Sequence, residues 1–160
     1  MKDKLLKLLD QNARLDAGSL AVMLGATEAE VNEKIARYEA DGVIRGYKAL
    51  IDWTKAGEDY VEAIIEIGVT PKKDLGFEEI GRQIMDFDEV DSVYLMSGGF
   101  DIAAIVKGAS FQDIALFVAY RLAVLESVCS TSTHFVLKRY KDKGVSFCEE
   151  EKDERSYTSL

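Results

Sequence analysis

The hydrophobic period of this chain changes once, near Tyr60, and that change limits what the chain can fold into more than any other feature. Before it, apolar residues recur at three- and four-residue spacing, as on amphipathic helices. After it, the period falls to two, as on a strand with one buried face. Val61, Ala63, Ile65, Ile67 and Val69 alternate with Glu62, Ile64 and Glu66, and Pro71, which cannot donate to a ladder, ends the run. Phe77, Ile80 and Ile84 return to helical spacing as far as Phe87. Val90 to Ser97 reads as a strand, Gly98-Gly99 as a turn, and Asp101 to Lys107 as the hairpin partner. Phe111, Ile114, Ala115, Val118, Leu122 and Leu125 mark a long helix, and Thr131 to Tyr140 supplies the last strand.

The order β-α-β-β-α-β specifies a ferredoxin-like domain over residues 60–147, with both helices on one face of an antiparallel sheet. The other face, where Ile64 sits among acids, needs a cover, and pairing of sheets between subunits is the expectation. Residues 148–160 are polar and acidic and read as a flexible tail. Asp52 to Gly57 marks the domain boundary, giving a linker over 53–59.

Upstream, Lys2 to Asn12 carries Leu5, Leu6, Leu8 and Leu9 against Lys4, Lys7 and Asp10, a first amphipathic helix. Asp16 is placed to cap a short second helix bearing Leu20, Met23 and Leu24, which Gly25 ends in a left-handed turn. Thr27 followed three residues later by Glu30 is a capping-box signature, and Val31, Ile35 and Tyr38 form one buried stripe behind it. Two helices joined by a short glycine-containing turn read as a helix-turn-helix with Thr27–Asp41 as the recognition helix. The β-prone run Val43 to Ile51, punctuated by Gly46, suggests a strand or small wing that completes a domain over 1–52.

Net charge over the 160 residues is −9, which argues against attraction of the whole protein to nucleic acid or anionic lipid. The charge is uneven. Residues 1–52 hold eight basic against nine acidic side chains, so the remainder carries nearly all of the excess. MKDKLLKLLD has acids among its leucines and no apolar core, so no cleavable signal is expected, and no run approaches the ~18 apolar residues of a membrane span. Cys129 and Cys148 match no zinc spacing, and reduced thiols in a cytoplasm are the expectation. His134 is the single histidine, which disfavours a His-rich metal site, and no acidic pair has the spacing of a general acid/base dyad. No metal or cofactor is expected; the plain reading of His134 is a strand residue with local hydrogen bonds.

With Val31, Ile35 and Tyr38 inward, ~100° per residue turns Ala29, Glu33, Ala36, Arg37 and Ala40 outward, with Asn32 and Lys34 on the flanks. Lys34 and Arg37 suit phosphates, Asn32 suits adenine, Glu33 suits a cytosine amine but repels phosphate, and the alanines permit close approach to a groove. Thr27, Asn32, Glu33, Lys34, Arg37 and Arg45 form the candidate DNA-facing set, with double-stranded DNA as the partner. A three-helix unit that binds a protein fits the same pattern. The second constellation is Ser97, Gly98, Gly99 and Asp101 at the hairpin turn, where backbone N–H groups can approach a ligand and the carboxylate can accept from an ammonium. Thr131, Ser132 and Thr133 offer hydroxyls at the matching sheet edge. A plain Gly-Gly hairpin with ordinary strand hydroxyls satisfies these residues equally.

Asn12-Ala13-Arg14, Leu24-Gly25-Ala26-Thr27, Gly42-Val43-Ile44-Arg45-Gly46-Tyr47, Val93 to Asp101 and Thr133-His134-Phe135-Val136-Leu137 occur in an order and spacing that resemble the Lrp/AsnC (feast/famine) family over roughly residues 1–147. The resemblance implies a winged helix-turn-helix followed by the ferredoxin-like domain. It further implies dimers formed through the sheet domains and assembled into tetramers, octamers or larger rings, regulation of transcription at promoter DNA, and an amino-acid effector. The effector pocket it implies falls on Ser97, Gly98, Gly99, Asp101, Thr131, Ser132 and Thr133. Gly99 stands where the family turn has an Asp, which removes one carboxylate from ammonium recognition, and Glu33 and Ala36 stand where many members carry arginine. The architecture also resembles siroheme decarboxylases, an enzyme alternative in which His134 is the only histidine available to a tetrapyrrole. The regulator reading expects no catalytic activity.

Overall fold

The computed structural model describes residues 3–70 and 76–148. Pro71, read as a strand end, and the acidic stretch 149–160 lie outside the described residues. The chain divides into two compact units at Leu50/Ile51.

The first unit is three helices. α1 (Lys4–Gln11) is capped by Asp3, whose side chain accepts from the Leu5 N–H at 2.8 Å. α2 (Ala17–Leu24) begins at Asp16, which accepts from the Ser19 N–H, and ends at Gly25 with φ 67° and ψ 37°, a left-handed turn that a Cβ disfavours. α3 (Glu28–Ala40) starts with both halves of the capping box, the Thr27 hydroxyl accepting from the Glu30 N–H and the Glu30 carboxylate from the Thr27 N–H. Leu5, Leu20, Ala21 and Val31 are buried, and Leu8, Leu9, Leu15, Leu24, Ile35 and Tyr38 pack around them. Burying each large side chain contributes about 1.5–3 kcal/mol, enough to hold helices too short to persist alone. Met23, expected on the inner stripe of α2, is 47% exposed; Ala21 takes its place.

The run Val43 to Ile51 forms no strand among the described residues. Val43 and Ile44 donate their N–H groups to the Tyr38 carbonyl at 2.8 and 3.0 Å and finish α3; beyond them the chain is irregular. β propensity alone does not make a wing, because a strand needs a neighbour to satisfy its backbone.

The second unit opens with a one-turn helix, α4 (Trp53–Ala56), capped by Asp52 through the Lys55 N–H and closed by Gly57, inside the segment expected to be plain linker. Then come β1 (Val61–Val69), α5 (Glu78–Met85), β2 (Val90–Leu95), β3 (Ile102–Gly108), α6 (Phe111–Phe117) continued by a π-helical turn over Val118–Leu122, and β4 (Val128–Phe135). The sheet order is β2-β3-β1-β4 and every pairing is antiparallel, the βαββαβ arrangement. Ala63, Ile65 and Ile67 of β1 are fully buried in one cluster with Ile80 and Ile84 of α5 and Ile114 and Phe117 of α6, so both helices cover the same face.

β4 starts at Val128, three residues before the expected Thr131, and ends at Phe135 rather than Tyr140. A bulge between Gly68 and Val69 lets β1 keep its β4 partner one pair further, as far as Val128. Past Phe135, Lys141–Asp142 (β5) and Val145–Ser146 (β6) form a separate small hairpin. Lys143 and Gly144 both have positive φ, as a two-residue type I′ turn requires.

Candidate functional site

On α3 the expected inward and outward faces are present. Val31 is 2% exposed, Ile35 and Tyr38 are half-buried, and Thr27, Ala29, Asn32, Glu33, Ala36, Arg37 and Ala40 are exposed. Lys34 is the exception. Its ammonium lies 2.7 Å from Asp3 Oδ2, and the Tyr38 hydroxyl donates to the same oxygen at 2.6 Å. The Lys34 and Tyr38 contacts hold the Asp3 carboxyl far below the ordinary carboxylate range, and the same contact raises the Lys34 ammonium. One aspartate therefore caps α1 and clamps it to α3. Asp3 was missed in the sequence, although an acid just before a leucine-rich periodic run is a helix-start signal.

The acids of α3 are partly spoken for. Glu30 accepts from the backbone N–H of Thr27, which lowers its carboxyl, and the Glu28 carboxylate lies against Gly18. Glu33 stays on the outer face beside Arg37. Arg45, after the helix, lays its guanidinium over Gly42, close enough that a Cβ there would stand 3.3 Å from it. Thus Thr27, Asn32, Glu33 and Arg37 share the outer side of one helix, Arg45 follows its C-terminus, and Lys34 turns back toward α1.

In the second unit, the hairpin turn and the start of β4 reach the same end of the sheet, because β3 and β4 both run antiparallel to β1. Asp101 donates its N–H to the Ile67 carbonyl at 3.1 Å, and Ile67 pairs with Thr131. Ile102, Ile67 and Thr131 therefore form one row across the sheet, and Asp101 stands one residue beyond it, roughly 10 Å from Thr131. The Asp101 carboxylate also accepts from the Val69 N–H at 2.8 Å, completing the β1 ladder beyond its last β3 partner. Ser97, Gly98 and Gly99 form the loop, closed by the Met96 N–H to the Asp101 carbonyl at 2.7 Å.

The three hydroxyl residues do not share one surface. Thr131 and Thr133 pair with buried Ile67 and Ile65 and so lie on the helix-covered face, whereas Ser132 pairs with Glu66 and lies on the open face. There Ser132 Oγ is 3.3 Å from His134 Nε2, which is 3.6 Å from Glu66 Oε2. Both contacts fall on one ring nitrogen, so this is not the relay of a nucleophile, base and orienting acid through opposite nitrogens. Among the described residues no group of three or more His, Cys, Asp or Glu is placed to hold a metal ion, and no helix is long and apolar enough to cross a membrane.

The open face carries Glu62, Ile64 and Glu66 of β1, with Ile105 and Ala103 of β3 opposite the last two, and Tyr94 of β2 beyond. Ile64 and Tyr94 are 41% and 46% exposed. Charge at the edges is partnered: Arg139 binds Glu62 at 2.7 Å and Lys107 binds Asp91 at 2.9 Å.

A family model described as the Lrp/AsnC ligand binding domain matches residues 62–146, essentially the whole sheet unit. The HTH-type transcriptional regulator YugG of Bacillus subtilis is 43% identical over 157 residues, covering 98% of this chain and 95% of that one. Among solved structures, a transcriptional regulator of Neisseria meningitidis in complex with L-methionine superposes with a TM-score of 0.71 at 23% identity, covering 89% of this chain and 94% of that one. AsnC of E. coli gives 0.66 at 22% identity, covering 87% and 94%. At such identities the structural matches show the fold alone. The family model over the sheet unit and the near full-length likeness to YugG together place this chain in the Lrp/AsnC family.

Proposed function

We propose that the chain is a DNA-binding transcription regulator whose first unit reads promoter DNA and whose second unit oligomerises and binds an amino acid. The observation that carries this reading is the exposed outer face of α3, polar and small, on a helix whose other side is locked to α1 and α2. Thr27, Asn32, Glu33, Arg37 and Arg45 are the residues assigned to DNA; Lys34 acts first as the partner of Asp3 and reaches a phosphate only by leaving it.

Dimerisation runs through the open sheet face. Its centre is apolar, its flanking charges are mostly paired within the chain, and a half-apolar sheet face left in water is a poor end state. The irregular, β-prone run Val43 to Ile51, with Val43 and Tyr47 more than half exposed, becomes a wing or linker strand once a second chain offers it a neighbour.

The amino acid sits at the sheet end marked by Ser97, Gly98, Gly99, Asp101 and Thr131, with Thr133 two pairs further along β4 on the same face as Thr131. The second oxygen of Asp101 is the acceptor for its ammonium. Ser132 belongs to the opposite face and acts in dimer packing. The reading draws on the Neisseria relative's capture with L-methionine. Effector control then requires that the amino acid bind one assembly state more tightly than another.

The test is fluorescence anisotropy of labelled DNA from upstream of the protein's own gene, at stated salt, with and without each of the twenty amino acids. Saturable binding that one amino acid shifts is the expected result. No saturable binding at low salt under any of these conditions would overturn the proposal.

A further inference from the structure

At the edge of the sheet where β1 begins and β4 has ended, the second unit holds a cleft of about 760 Å³. Its walls are Ile51, Trp53, Tyr60, Val136 and Phe147, and Leu137 stands on its rim. Leu137 is 89% exposed, more than any other large apolar side chain described.

That exposure is built on a fixed base. Val136, just before it, donates its N–H to the Glu62 carbonyl at 2.9 Å and continues the β4 register. Arg139, two residues after it, is held by Glu62 at 2.7 Å and lies 5.3 Å from the Phe147 ring. An apolar side chain presented between two anchored neighbours behaves as a preorganised contact, since little freedom is left to lose on binding.

The cleft is continuous with the open sheet face, because Glu62 and Val136 border both. The apolar surface adjoining that face is this cleft and its rim, which add to the area a second copy can cover.

We propose that in the dimer each Leu137 enters the cleft of the other copy, against Trp53, Tyr60 and Phe147. A twofold axis makes such a contact self-complementary: the same side chain is both plug and rim. The proposal rests on the open-face dimer above and adds the anchor that completes it. Glu58 and Lys138, both exposed on the rim, supply opposite charges for the same twofold exchange.

Trp53 is the only tryptophan in the chain, so its emission reports directly on the cleft. Full-length protein is diluted through its dimer dissociation range, followed in parallel by sedimentation velocity and by Trp53 emission and acrylamide quenching. The expected result is a blue shift and reduced quenching that track the dimer fraction, with Leu137→Ser weakening the dimer about tenfold or more and removing the emission change. Circular dichroism of the variant should match the parent, since Leu137 makes no core contact. A parent that dimerises with unchanged Trp53 emission, or a Leu137→Ser variant that dimerises as tightly as the parent, overturns the anchor while leaving the open-face dimer standing. Ile64→Lys, at the centre of the open face, tests that dimer separately: if it too dimerises like the parent, the open-face reading itself fails.

Discussion

Substituting Asp101 separates what this carboxylate does for the fold from what it does for a ligand. Its Oδ2 accepts from the Val69 N–H at 2.8 Å in a part-buried contact, and Val69 is 8% exposed. Asp101→Ala takes the partner from that donor, at a cost of about 1–3 kcal/mol. In a domain of this size each kcal/mol moves Tm by roughly 4 °C, so the sheet unit should melt about 4–12 °C lower. Asp101→Asn keeps an acceptor oxygen and gives up only the charge. A charge-assisted hydrogen bond is about twice as strong as a neutral one, so this variant should lose under about 1 kcal/mol. Ligand binding sorts the variants differently, because an ammonium needs the charge. A saturating amino acid at a hundredfold its Kd stabilises the parent by about 2.7 kcal/mol. The Asn variant should melt near the parent and gain nothing from that amino acid. Differential scanning calorimetry with and without the ligand reads both effects. If Asp101→Ala melts like the parent, the Val69 contact carries no stability. If Asp101→Asn is stabilised by the ligand as strongly as the parent, Asp101 is not the ammonium acceptor.

Three further outcomes follow from particular contacts. Because Lys34 and Tyr38 depress the Asp3 carboxyl, the stability it gives the helical unit is fully present above its unfolded value of about 3.9 and is lost as pH falls through its lower folded value. Asp3→Asn should abolish that part of the acid-side slope, seen by helix circular dichroism in urea between pH 6 and pH 2. Gly25→Ala places a Cβ at φ 67° in the turn between α2 and α3 and should cost about 1–2 kcal/mol in the same urea titration. Gly68→Ala would put a Cβ 2.5 Å from Ser130 Oγ, so it should lose about 1–3 kcal/mol, and Ser130→Ala should restore most of that in a double-mutant cycle read by thermal melting.

The sheet unit was legible because its period-2 runs pack on one side only. The alternation from Val61 to Val69 placed Ala63, Ile65 and Ile67 in the core without any knowledge of their partners. The capping box at Thr27 and the left-handed turn at Gly25 were legible for the same reason: each is a bargain struck within four residues. What could not be read depends on distant pairing. β4 begins at Val128 because a bulge at Gly68 and Val69 extends its register, and nothing in Val128-Cys129-Ser130 announces this. The run Val43 to Ile51 has strand composition and forms no strand among the described residues, since composition alone does not supply a pairing partner. Of the candidate site, the sequence names residues but not the face each one takes. Register with Ile65, Glu66 and Ile67 turns Thr131 and Thr133 to one face of the sheet and Ser132 to the other, and Lys34, expected on the flank of α3 and suited to phosphate, is held by Asp3.

With α3 as the proposed recognition helix, its charge sets how DNA would have to be bound. Among the described residues of α3, Asp3 engages Lys34, leaving Arg37 as the exposed cation, with Glu33 one turn before it on the same face. One copy thus brings Arg37 and the following Arg45 to the phosphates, a weak electrostatic footing when affinity grows with each counterion released. Two copies held in one assembly change this without any new contact. Binding of the first helix raises the effective concentration of the second, and avidity can exceed single-site affinity by about 10²–10⁴. The number of copies engaged is written in the salt dependence. Each phosphate neutralised contributes about −0.9 to the slope of log K against log salt. Arg37→Ala should therefore flatten the slope by about 1.8 when two recognition helices dock together, and by about 0.9 when one does. Anisotropy titrations of the full-length protein over 50–200 mM salt separate these values. A change near 0.9 would mean that a single acidic helix suffices, and the argument from charge to paired binding would fail.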